Sequence, residues 1–78
     1  MNKNNIDLKH HKLLGNQIKK LRKERDLTIE ELSQRTQIRL EYLRKIEAGK
    51  AVGVRLVKHI FKIAEELNVT LYKLFDYN

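Results

Sequence analysis

The sequence predicts an all-α fold, a compact five-helix bundle with a central helix-turn-helix. Three observations carry that expectation. Apolar residues recur at spacings of three and four along most of the chain, and no strand pattern of alternation appears. Proline is absent, Gly occurs three times and charged residues make up 35% of the chain, which suits short helices with solvated faces. Thr28 and Thr70 each stand directly before an apolar run, where a helix wants a side-chain cap.

The elements follow in order. Residues 1–12 (MNKNNIDLKHHK) are polar, with Ile6 and Leu8 too sparse to build an element, so they are expected as a flexible N-terminal arm or a helical extension. His10 and His11 are adjacent and point ~100° apart on a helix, which makes a shared metal difficult. The domain proper is expected over 13–78. Leu14, Ile18 and Leu21 give helix 1, at about 13–25, a buried stripe, with Lys19, Lys20 and Lys23 pointing elsewhere.

Helix 2, at about 29–36, has the clearest start in the chain. Thr28 and Glu31 have the spacing of a capping box, and Leu27 and Leu32 that of a hydrophobic staple. Glu30 and Glu31 suit the positive end of its dipole, which explains these acids without catalysis. After a break near Gln37, Leu40, Leu43 and Ile46 give helix 3 at about 40–47, with Ile38 plugging the core from the turn. Gly49 supplies the residue expected just past a helix end. Val57, Ile60, Phe61, Ala64 and Leu67 predict helix 4 at about 55–67, and Thr70 opens a short helix 5 carrying Leu71, Leu74 and Phe75.

At 78 residues the chain makes one small domain, burying only ~60% of the surface its unfolded form exposes. With no Cys there is neither a disulfide nor a four-Cys zinc framework. No apolar run approaches the ~18 residues of a membrane span, and Met1 to Lys12 lacks the apolar centre of a secretory signal. The expectation is a cytoplasmic protein with no membrane association. No nucleophile–base set, phosphate-cradling loop or ligand cluster appears, so neither an enzyme, a small-molecule substrate nor a cofactor is expected.

The net charge of +7 fits a polyanion partner. Its distribution is uneven: residues 1–25 carry eight Lys/Arg against two Asp/Glu, residues 26–47 four against five, and residues 48–78 five against three. The middle segment, which holds the helix-turn-helix, is therefore −1.

Taken in order, LGNQIKKLRKERDLTIEEL, IRLEYLRKIEAGK and IAEELNVTLYKLF closely resemble the Xre family of phage-repressor-like, lambda-repressor-type helix-turn-helix regulators, over roughly residues 13–76. The resemblance implies that helix 3 lies in the major groove of double-stranded DNA with its N-terminal side chains at base edges. Arg39, Leu40, Glu41, Arg44 and Lys45 would then lie near DNA, and Lys50 near a phosphate. It also implies a structural ion pair between Arg22 and Glu47.

The chain departs from the family pattern at several points. Ile29 stands where a phosphate-gripping Gln is usual. Gln37 replaces the turn Gly, so a left-handed backbone there carries a side-chain penalty. Arg39 replaces a Ser/Thr cap, and the link after Gly49 is about two residues longer than common.

Leu40 can meet a thymine methyl, Glu41 can accept from cytosine, and Arg44 or Lys45 can grip guanine. The plainer alternatives are Leu40 as a packing residue, Glu41 as a dipole partner, and Tyr42 half-buried with a wet hydroxyl. The expected function is a sequence-specific DNA-binding transcriptional regulator, a repressor acting as a homodimer. The alternative is a protein-interaction module on the same scaffold, similar to the helix-turn-helix of bacterial cytoskeletal regulators or to antitoxin and immunity-type partner binders.

Overall fold

The computed structural model describes the backbone of residues 3–77 and the side chains of residues 9–77. Along the chain run α1 (Lys3–Glu24), α2 (Ile29–Thr36), α3 (Leu40–Glu47), α4 (Val54–Glu66) and α5 (Leu71–Leu74), and the described residues contain no strand.

α1 begins ten residues before the expected start. Residues 3–12, expected as an arm or a helical extension, continue it as helix; residues 1 and 2, and the side chains of Ile6 and Leu8, lie outside the described residues. The physical reason is that extending a formed helix costs far less than nucleating one, and the packed half of α1 supplies the nucleus. That half buries Leu14, Ile18 and Leu21. Gln17 is buried too, and its Nε2 donates to the carbonyls of Lys73 (2.9 Å) and Asp76 (3.1 Å), holding the C-terminal end against α1.

At the head of α2, the Thr28 hydroxyl accepts from the Glu31 amide at 3.0 Å, and the Glu31 carboxylate accepts from the Thr28 amide at 2.8 Å. The bond from the Thr28 amide, with the Thr28 hydroxyl beside it, holds the Glu31 carboxyl below the ordinary glutamate range. The turn that follows is tied by hydroxyls: Ser33 donates to the Ile38 carbonyl, and Thr36 donates to Leu32 while accepting from the Ile38 amide at 3.3 Å. Gln37 takes the left-handed conformation between them, with φ 62° and ψ 23°. Ile38 drops into the core.

α3 contributes Leu43 and Ile46 to that core, and Arg39 at its start offers no side-chain cap. Beyond Gly49 the link buries Ala51 and reaches α4 through Gly53. On α4 the buried face is Leu56, Ile60, Ile63 and Ala64, continued by Leu67. Val57 and Phe61, expected on that stripe, are instead 54% and 57% exposed. The apolar arc of α4 is wider than the face it buries, and Leu56 and Ile63 take the inner positions.

Candidate nucleic-acid interface

α3 is eight residues long, a little over two turns, and its apolar side chains are committed to one flank. The opposite surface is polar. Arg39, Glu41, Arg44 and Lys45 are exposed along it, Leu40 is half-buried at its front, and Lys50 is exposed just past its end. The residues expected near DNA are therefore brought to one helix and the turn behind it. The Arg44 guanidinium lies 3.6 Å from the Glu30 carboxylate, with both side chains more than half exposed. A pair so open to water holds its partners weakly, so Arg44 is available to another anion.

Beneath this surface Arg22 and Glu47 form a two-pronged pair. Arg22 Nε reaches one carboxylate oxygen at 2.7 Å and Nη2 the other at 3.0 Å, while Nη1 donates to the Leu27 carbonyl at 2.9 Å. Both side chains are buried. The Glu47 hydrogen bond raises the Arg22 guanidinium pKa further, so the arginine stays charged. It fastens the C-terminal end of α3 to α1.

The pair also changes the electrostatic account. The −1 of residues 26–47 includes Glu47, whose charge is offset by an arginine from the first segment. On the outward side of α3, Arg39, Arg44 and Lys45 stand against Glu41, which leaves +2.

Two flanks complete the surface. On one, Lys19 of α1, Ile29 and Arg44 line a shallow hollow floored by Arg22, Glu47 and Ala48. On the other, the Arg55 guanidinium lies 4.2 Å over the Tyr42 ring, and the His59 ring meets the same Tyr edge-on at 5.2 Å. The Tyr42 hydroxyl, expected wet, is buried and makes no hydrogen bond among the described residues. Burial, with Arg55 and Lys58 close by, pushes the His59 pKa down.

Lys19, Arg55 and His59 were not singled out from the sequence, because helical periodicity carries no information about which flank meets which. Gly15 is a different case. A glycine inside a helical pattern is itself a signal of close packing. Here a Cβ would press into the Ile46 carbonyl oxygen and lie 2.6 Å from that of Glu47.

Among the described residues no helix is long and apolar enough to cross a membrane, and no three His, Asp or Glu side chains gather as a metal site.

The sequence profile of the helix-turn-helix domain family matches residues 15–78. A crystal structure of an HTH_3 family transcriptional regulator from Vibrio cholerae superposes with a TM-score of 0.79 at 29% identity, over 88% of this chain. The chain spans 38% of the length of that structure. No curated protein matches it.

Proposed function

The chain belongs to the helix-turn-helix domain family as an Xre-like regulator, and from that premise we propose that it binds double-stranded DNA sequence-specifically, as a homodimeric cytoplasmic repressor whose α3 enters the major groove. One observation carries the reading: the outward face of α3 is polar and net positive, and the acid buried beneath it, Glu47, is already paired with Arg22. Arg44 and Lys45 grip guanine edges, Glu41 accepts from cytosine, and the outer part of Leu40 meets a thymine methyl. Lys50 sits behind them on a phosphate. Tyr72 and Phe75, both exposed near the C-terminal end, supply an apolar patch for pairing two copies on a two-fold site.

Selection of bound sites from random duplex DNA tests the reading directly. Enrichment of a short two-fold motif, with affinity falling steeply as salt rises, is the expected result. Replacing Arg44 and Lys45 together by Ala should weaken binding to the selected site by roughly 10-fold or more while leaving the fold intact. Unchanged binding by that variant would remove α3 as the reading element. The partner-binding alternative draws on the exposed Val57 and Phe61 of α4; a stable hetero-complex with no preference for duplex would establish it instead.

A further inference from the structure

We propose that Lys12, Lys19 and Lys23 of α1 form a phosphate-binding row beside α3, taking diester oxygens along one strand of the duplex that α3 enters. The inference rests on the reading of α3 as the DNA-entering helix, and it adds a contact surface on a different helix.

The row follows from spacing. At 100° per residue, intervals of seven and four return these three side chains to within ~40° of one another, along ~16 Å of helix. All three are exposed, and none enters an ion pair among the described residues. Uncompensated positive charge on one line of a helix is an electrostatic cost when no partner is present, because like charges repel.

Its position is fixed by contacts to α3. Gly15 packs on the carbonyls of Ile46 and Glu47, and Arg22 grips Glu47, so one side of α1 is joined to α3. Lys19 lines the same hollow as Arg44. The backbone of Lys12 lies against Gly49, just past the end of α3, close enough that a Cβ there would be 2.5 Å from the Lys12 Cα. Lys12 and Lys19 thus lie beside the C-terminal half of α3, on its Arg44 flank, and the helical spacing carries the row on to Lys23.

Scale agrees with this placement. The major groove is ~12 Å wide, so a helix centred in it has a phosphate wall on either side. A neighbouring helix packed at ~8–10 Å between axes sits over such a wall. Need agrees as well. Phosphate neutralisation supplies much of the affinity of DNA-binding proteins, and α3 offers only +2 outward. Lysine, a compact point charge on a flexible stem, suits diester oxygens that require no forked geometry.

The test uses the whole chain and the duplex recovered by site selection, with affinity measured from low to high salt. Lys12→Gln, Lys19→Gln and Lys23→Gln are combined in one variant. A control removes two lysines that neither share a hollow with Lys19 and Lys23 nor act on His59, Lys62→Gln and Lys73→Gln. Counterion release predicts a logarithmic salt slope shallower by ~2.7 for the row variant and binding weaker by roughly 100-fold or more in 0.1 M salt. The control should lose much less. Arginine at the three row positions should restore the slope, which separates lost charge from a damaged fold.

An unchanged slope in the row variant, or an equal loss in the control, overturns the row. Wild-type binding that Arg44→Ala with Lys45→Ala abolishes, but the row variant keeps, leaves the α3 reading standing alone. A wild-type chain that prefers no duplex overturns both.

Discussion

Gln37 holds a left-handed backbone at the α2–α3 turn, and Tyr42 buries a hydroxyl without a partner; each is a residue whose neighbours suit a different side chain. The left-handed conformation costs a residue with a Cβ ~1–2 kcal/mol, whereas glycine's extra unfolded freedom costs ~0.5–1 kcal/mol. The difference favours glycine. Gln37→Gly should therefore raise stability by about 0.5–1 kcal/mol, read as an increase of a few degrees in thermal melting. Tyr42→Phe removes a desolvated hydroxyl and keeps the ring under Arg55, so melting should hold or rise, by up to ~1 kcal/mol. A clear loss of stability would mean that the hydroxyl has a partner. The two positions differ in how far sequence could foresee them. A turn in the frame of a helix-turn-helix demands a left-handed residue locally, so the strain at Gln37 is readable from the motif. The fate of the Tyr42 hydroxyl depends on Arg55 and His59, which arrive across a link whose course no local signal sets.

At the scale of elements, helix starts with a side-chain cap were the most legible feature, and the outer limits of a buried face the least. The Thr28–Glu31 pair is a short-range exchange between one side chain and one amide on each side, so four residues suffice to specify it. A face is decided by everything packed against it. Val57 and Phe61 fit the α4 periodicity yet point outward, because Leu56 and Ile63 compete for the same interior and win it. The early start of α1 was hidden for a related reason: residues 3–12 carry little apolar signal of their own and inherit their helix from the packed turns that follow. Gly15 shows tertiary contact overriding propensity outright. Ala in a helix interior is better than Gly by ~1 kcal/mol in isolation. Here the added methyl would press into two carbonyl oxygens of α3, and forced overpacking costs ~1–3 kcal/mol. Gly15→Ala should accordingly lower the urea midpoint; a rise would show that α1 and α3 can slide apart freely.

For the molecule as a whole, the bundle depends on one ionic joint. Arg22→Met with Glu47→Leu removes both charges, whereas Glu47→Ala alone strands a buried guanidinium. The single change should cost ~3–5 kcal/mol, and the double change should recover most of it, as measured by chemical denaturation of the variants side by side. Equal losses in both would locate the stabilisation in packing around the pair instead. The resemblance to the family supplied this joint, and apolar periodicity supplied the all-α architecture, since both reside in residue types at fixed spacings. Sequence alone did not supply the arrangement of α1 beside α3, because exposed lysines at seven and four look the same whether they face solvent or a partner. The joint has one more consequence. It clamps α3, the proposed reading helix, by its tail, while the nose, with Arg39 exposed and Leu40 half-buried, has no side-chain cap. Letters at the nose can be exchanged without disturbing the hinge-pin, so the protein's address should be rewritable while its resistance to heat stays put.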